Sequence, residues 1–139
     1  LSEALARAVR LALKDADVGP GEIDAVSSGA AGSIEQDRDE ARAIADALGE
    51  RAATVPVTAV KSMLGEALGA SSALQAVAAL GTLRDGFLPG IAGLEGTEDG
   101  FPLPGISAAS RRIDARRILI TAYGCGGHCC ALILGAHKP

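Results

Sequence analysis

Aromatic residues are almost missing from this chain: one tyrosine, two phenylalanines and no tryptophan, 2% in all. With 48% of residues hydrophobic, the core must be built from Ala, Leu, Val and Ile, and the 18 glycines suit layers that approach closely. A basic face is missing too. The chain has 13 Lys and Arg against 17 Asp and Glu, a net charge of −4, and its arginines are spread along the sequence. Without a basic patch or an aromatic stacking platform, a nucleic acid is not an expected partner. No apolar run approaches the ~20 residues of a membrane helix, so no membrane partner is expected either. The opening residues show no basic-then-apolar leader. Cysteines are few and crowded, at Cys125, Cys129 and Cys130. An odd, clustered set with no leader points to reduced thiols and a cytoplasmic protein.

What is present fits one domain, 139 residues long, enough for a real core. Apolar residues at Leu1, Leu5, Ala8, Val9, Ala12 and Ala16 form a helical stripe, ended by Gly19-Pro20. Residues 23–28 read as a short strand and 29–36 as a Gly/Ala/Ser loop. Asp37 and Glu40 have capping-box spacing before a helix through Leu48, with Gly49 as its C-cap. Residues 55–60 read as a second strand. Residues 67–84 read as a helix with so little polar face that it should be buried. Residues 86–112, rich in Gly and Pro, read as a long irregular connection. Residues 118–122 and 130–134 read as strands joined by Gly124-Cys125-Gly126-Gly127-His128. This order predicts a layered α/β domain with a mixed sheet, and no short repeat interrupts it.

The stretch Lys61-Ser62-Met63-Leu64-Gly65-Glu66-Ala67-Leu68-Gly69-Ala70 lies where a strand feeds a helix through a glycine turn. Free backbone N–H groups and the positive end of a helix dipole gather at such turns. It resembles the Lys-Ser-x-x-Gly-His-x-x-Gly-Ala motif of the β-ketoacyl synthases, the condensing enzymes of fatty-acid and polyketide synthesis. In that family the His helps decarboxylate a malonyl unit and stabilises the resulting carbanion; here Glu66 stands in its place. Ser28 to Asp37, followed by Glu40-Ala41-Arg42-Ala43-Ile44, resembles the family's His-Gly-Thr-Gly-Thr-x-x-x-Asp segment and the helix after it. Matching Gly29 to the first Gly puts Ser28 at the first catalytic His. Matching Asp37 then requires one inserted residue, and no His lies anywhere in the segment. Gly124 to His128 resembles the family's Gly-Phe-Gly-Gly-Thr-Asn loop, with Cys125 at the position of the Phe that gates the acyl pocket.

Plainer explanations compete. A lone Lys is usually a surface charge, but Lys61 beside a strand end and an apolar helix is expected to enter a cleft. Opposite charge at Glu66 predicts a local, buried Lys–Glu pair, costly to break. A dinucleotide fingerprint at Gly124 to Gly127 fails because a strand follows and no third Gly is spaced correctly. A zinc site from Cys125, His128, Cys129 and Cys130 is disfavoured. Adjacent Cys129 and Cys130 in a strand face opposite ways, so no metal is expected and buried inert thiols are the preferred account. A Cys nucleophile activated by His128 rests on sequence adjacency alone.

Taken together, the resemblance runs over nearly all of residues 1–139 and implies a thiolase-like fold. It covers the C-terminal half only, a layered α/β/α arrangement with a mixed sheet. In the family the nucleophilic Cys belongs to the N-terminal half, and both histidines of the Cys-His-His set are replaced here. Paired loss of the histidines resembles the chain length factors, or ketosynthase β subunits, of type II polyketide synthases. That resemblance implies a noncatalytic component that uses no cofactor and shapes an acyl tunnel near Gly124, Cys125, Gly126, Gly127 and His128. Its implied partners are the N-terminal half of the fold, a catalytic ketosynthase subunit and an acyl carrier protein. Two alternatives remain at this stage: an acyltransferase working through Glu66, Lys61 and His128, and an interaction module without an acyl ligand.

Overall fold

The computed structural model describes residues 1–136. The chain forms helix α1 (Ser2–Asp15), strand β1 (Ala25–Ser27), helix α2 (Ile34–Leu48), strand β2 (Val57–Thr58), a single turn α3 (Lys61–Leu64) and helix α4 (Ser71–Asp85). It ends with two short strands, β3 (Phe87–Leu88) and β4 (Arg111–Arg112), and two long ones, β5 (Arg117–Tyr123) and β6 (Cys129–Gly135).

The main sheet has the order β2-β1-β5-β6. β1 runs parallel to both β2 and β5, while β6 returns antiparallel along β5 from Tyr123↔Cys129 to Arg117↔Gly135. The sheet is therefore mixed, as expected. Period-two alternation along β5 assigns its residues to two cores. Leu119 joins Val26, Val57 and the inner faces of α1 and α2 (Val9, Leu13, Ile44, Leu48). Ile118 and Ile120 join Ala25, Leu88 and Ala79 of α4 on the other side. The result is a helix layer, a sheet and a second helix layer, the α/β/α arrangement of the thiolase-like fold.

Several boundaries depart from the sequence expectation. α2 starts after Ser33, so Asp37 is no N-cap and the capping box does not form. Instead the Asp37 carboxylate accepts the N–H groups of Ala31 and Gly32, at 3.1 and 3.0 Å, and ties the loop back onto the first turn. Gly49 does end the helix, with φ at +56°. The second strand keeps only Val57 and Thr58, because Val60 already caps the α3 turn.

Helix α4 differs most. It begins at Ser71 after a separate short turn, Leu68–Ala70, and it is not buried all round. Its inward residues are Ser71, Gln75, Ala79 and Thr82, mostly polar. Its outward face carries Leu74, Val77 and Leu80, which are 38%, 66% and 54% exposed. A helix normally turns its apolar stripe to its own sheet; this one turns it away.

Candidate functional site

The parallel strands β1, β2 and β5 end side by side, and in open α/β sheets ligand groups gather in the crevice outside such carboxyl ends. Ser28 follows β1, Lys61 lies just beyond β2, and Tyr123 closes β5. The sequence-derived candidates Ser28 and Lys61 thus meet at one edge, and both line the same cavity.

Ser28 belongs to a buried polar network. Its hydroxyl donates to Glu40 Oε2 at 2.6 Å and accepts the Ala30 N–H at 3.1 Å. Glu40 is 1% exposed. Its Oε1 also accepts the Gly29 N–H at 2.7 Å and the Thr121 hydroxyl at 2.6 Å. Burial pushes the Glu40 carboxyl up, and these three donors pull it back. A Cβ on Gly29 would lie 2.9 Å from the Thr121 carbonyl oxygen, so glycine is what lets the loop reach β5. From the other side Gln75 Nε2 donates to the carbonyls of Ser28, Thr121 and Ser27, at 3.0, 3.2 and 3.3 Å. The network pins α2, β1, β5 and α4 together.

Glu66 forms a second, more open cluster. Its carboxylate accepts from Lys61 Nζ at 2.7 Å, from the Leu68 N–H at 2.7 Å and from the Ser71 hydroxyl at 2.5 Å. The bond to Leu68 holds a residue in the left-handed region, at φ +50°, where a side chain is strained. The hydrogen bond from Lys61, then that from Ser71, bring the Glu66 carboxyl down to about 2. The expected Lys–Glu pair is therefore present but not buried: the Lys61 side chain is 10% exposed and that of Glu66 is 42%. Lys61 also lies over the Tyr123 ring, 5.9 Å from its centre, near the outer limit of a cation–π contact. The Tyr123 hydroxyl donates to Asp37 at 3.2 Å. Burial, then the nearby carboxylates of Glu40 and Asp37, raise the Tyr123 hydroxyl well above its ordinary value.

These bonds decide what the two positions can do. The Ser28 hydrogen is committed to Glu40. Glu66, ionised at neutral pH, is an acceptor with no hydrogen to give. Neither position offers a donor to a carbonyl oxygen on which negative charge develops.

Gly124 to His128 form the tip of the β5–β6 hairpin and are exposed. The turn closes on itself, with the Gly124 N–H on the His128 carbonyl and the Gly127 N–H on the Gly124 carbonyl, both at 3.0 Å. The tip stands apart from the cavity lined by Ser28 and Lys61. The thiols are not buried as expected: Cys125 and Cys130 are exposed and Cys129 is half-buried. β6 is the outer strand of the sheet; Cys129 packs against Leu5 and Ala6 of α1 and Ala43 of α2, while Cys130, the next residue along the strand, points to the opposite, open face. Among the described residues, no three His, Cys, Asp or Glu side chains are grouped to hold a metal ion. Nor is any helix among them long and apolar enough to cross a membrane.

Sequence reasoning did not single out Gln75, Thr121 or Tyr123, and it took Glu40 for a helix cap. A signal existed for Glu40 and Gln75. Glu40 is four residues before Ile44 and eight before Leu48, in phase with the core stripe of α2. Gln75 is four residues after Ser71 and four before Ala79. An ionisable or amide side chain in phase with a core stripe is a buried polar group seeking partners.

The thiolase-like layers and the Lys-Ser turn at the strand ends define a condensing-enzyme scaffold. The sequence pattern of the family "Beta-ketoacyl synthase, C-terminal domain" matches residues 2–95, and the chain belongs to that family. It is 37% identical over 132 residues to the tetracenomycin polyketide synthase ketoacyl synthase beta subunit of Streptomyces glaucescens, covering 95% of this chain and 32% of that one. Among solved structures it resembles the ishigamide ketosynthase/chain length factor, with a TM-score of 0.92, 35% identity, and 99% and 34% of the two chains covered. It also resembles a type II acyl-carrier protein–ketosynthase complex bound to a hexaketide, with a TM-score of 0.91, 25% identity, and 96% and 33% covered. The chain thus spans about a third of the length of the curated relatives it matches.

Proposed function

We propose that this chain is a noncatalytic, chain-length-factor-type component of a polyketide or fatty-acid synthase. It would pair with a catalytic β-ketoacyl synthase subunit and help shape the space in which the acyl chain grows. The observation that carries this reading is the chemistry at the two positions matching the family's catalytic histidines. Ser28 is bonded to Glu40 and the anionic Glu66 to Lys61, Ser71 and Leu68, which leaves no proton donor at either place. The relative from S. glaucescens is named a beta subunit, which agrees with a supporting role.

The partner reading rests on the outward apolar face of α4. Leu74, Val77 and Leu80 are joined by exposed Leu68, Met63 and Leu64 nearby, and an apolar surface of this kind marks a contact with another element or chain. We assign it to the remaining two thirds of the fold, in the same polypeptide or another. We take the domain to run through residues 1–139; what supports extending it past residue 95 is that β5 and β6 supply half of the main sheet. Gly124, Cys125, Gly126, Gly127 and His128 would then line the acyl tunnel from the hairpin tip. A cytoplasmic location and an acyl carrier protein as the second partner complete the proposal.

Co-expression tests it. The chain should co-purify with a ketosynthase subunit, and leaving it out should change or abolish the products made from malonyl-loaded carrier protein. Cys125→Phe should shorten those products, because it fills a place where the family carries a gate. Turnover by the purified chain alone would overturn the noncatalytic reading, and unchanged products with Cys125→Phe would overturn the tunnel assignment.

A further inference from the structure

The two edges of the main sheet are finished differently. At β2 the chain closes its own edge: Val57 forms a parallel bridge to Ile106, and the Val57 N–H bonds the Gly105 carbonyl at 3.2 Å. A Cβ on Gly105 would fall 1.9 Å from the Val55 carbonyl oxygen, so glycine is what lets this segment lie so close. At the other edge stands β6, a strand of 7 residues of which none is buried. An open strand edge is a template for another strand, and proteins commonly blunt it with charge, proline or a bulge. The sequence of β6, Cys-Cys-Ala-Leu-Ile-Leu-Gly, has no charge and no proline, and its register on β5 runs unbroken.

Hydrogen bonds fix which groups face outward. The Gly124 N–H bonds the His128 carbonyl at one end of the β5–β6 ladder, and the Ala136 N–H bonds the Arg116 carbonyl at the other. Bonded and unbonded pairs alternate along an antiparallel ladder, so Cys130, Leu132 and Leu134 spend their backbone groups on β5. Cys129, Ala131, Ile133 and Gly135 turn theirs away from it. Among the described residues, no hydrogen bond from outside the ladder reaches those outward groups.

We propose that β6 pairs antiparallel with β6 of a second copy of this chain, about a twofold axis at Leu132, joining two four-stranded sheets into one. The outward residues are spaced symmetrically about Leu132, so the strand is its own complement, whereas a foreign strand would have to match it. The axis sets Cys129 opposite Gly135 of the second copy and Ala131 opposite its Ile133. Every outward group then finds a partner, roughly eight hydrogen bonds in all. Leu132, 44% exposed, meets its own counterpart, and Cys130 meets Leu134 of the second copy. These cross-strand pairs set no like charges against each other. The edge is distinct from the α4 face assigned above to the rest of the fold, so both can be covered at once and neither reading rests on the other.

Sedimentation velocity of the protein as it purifies, alone or with a bound partner, tests the pairing. Particles should carry two copies of this chain at high concentration and one on dilution. Ala131→Pro removes an outward N–H, a change an edge strand accepts, and Leu132→Lys sets like charges together at the axis. Each should weaken pairing by about tenfold or more while circular dichroism stays unchanged. Residue-by-residue amide exchange should slow at Ala131 and Ile133 as concentration rises, with Leu132, bonded to β5, protected throughout. A single copy at every concentration up to about 1 mM would overturn the proposal, as would pairs that survive both substitutions. Pairing that leaves exchange at Ala131 and Ile133 unchanged would also overturn it, by placing the contact elsewhere. Slow exchange at these two amides in a single-copy particle would mean that a foreign strand holds the edge, and would overturn the second copy as its occupant.

Discussion

Ser28 directly follows β1 and Glu66 lies beyond the α3 turn after β2, and the protein treats the two in opposite ways. The Ser28 hydroxyl is tied into a buried network where Glu40, 1% exposed, accepts three hydrogen bonds. Glu66 sits at the surface, holding Lys61 and a strained turn while remaining half in solvent. The first arrangement makes Ser28 part of the core; the second makes Glu66 a surface clasp. The two polar side chains are thus held according to the burial of their sites. Where water is excluded, every polar atom needs a partner; where water enters, an ion pair is cheap to hold and contributes little.

The largest effect should come from Glu40. Glu40→Ala orphans the Ser28 hydroxyl, the Gly29 N–H and the Thr121 hydroxyl in a buried site, a loss of about 3–5 kcal/mol. Urea unfolding of the purified protein measures it. A loss near zero would mean that the network is not holding the four elements together. Ser28→Ala removes one donor of the three and should cost about 1–2 kcal/mol in the same experiment. Glu66→Ala should cost less than about 1 kcal/mol and become indistinguishable from the parent at high salt, so the ratio between the two sites is itself the test.

The comparison sharpens with pH, because the two carboxyls act with opposite sign. Glu66 is depressed in the folded protein. Its contribution is therefore present above the ordinary carboxylate value near 4.5 and is lost as pH falls toward about 2. Glu40 is raised by burial. The folded state then holds its proton more tightly than the unfolded chain, and stability declines as pH rises through and above the ordinary value. Thermal unfolding of Glu66→Gln should lose the acid-side decline, and that of Glu40→Gln the decline toward neutral pH. A pair of variants with identical pH profiles would show that burial does not separate the two sites.

The same contrast explains what the sequence disclosed. The two long C-terminal strands were legible because each is a short, nearly unbroken run of apolar and β-branched residues on either side of a glycine-rich loop. Lys61 and Glu66 stood out as candidates because they sit inside a motif of fixed spacing; Ser28 was placed by matching Gly29, with one residue inserted before Asp37. The start of α2 was not: Ile34, Glu35 and Gln36 follow a loop with no strong stop signal, and the Asp37–Glu40 spacing imitates a cap. The partners of Glu40 and Gln75 were hidden for a related reason. A polar residue's partners come from strands 12 to 81 positions away, and no local pattern shows that Ser28, Thr121 and Gln75 converge. The reversed helix α4 was misjudged because composition alone made it a core helix. Its apolar stripe faces away from its own sheet, and only the packed layers reveal which side that is.

The smallest expected effect is none at all. Glu66→His puts back the residue type that the family's motif carries, and an imidazole there would regain a hydrogen to offer a thioester oxygen. Three features still oppose activity. Lys61 loses the carboxylate that now holds it, so its side chain is free to turn back over the Tyr123 ring or into the cavity. The Leu68 N–H and the Ser71 hydroxyl lose their acceptor, and the strained turn that positions residue 66 loosens. Ser28 remains bonded to Glu40, so the place matched to the family's first histidine still supplies no donor. General acid–base help and a positioned donor are each worth roughly 10²-fold or more, and restoring one without the other leaves turnover below detection. Mass spectrometry of reactions containing malonyl- and acyl-loaded carrier protein, without a ketosynthase subunit, should show no ketoacyl product for Glu66→His. A product from this single variant would mean that the Ser28 network is no barrier to catalysis, and that the two sites differ in burial but not in consequence.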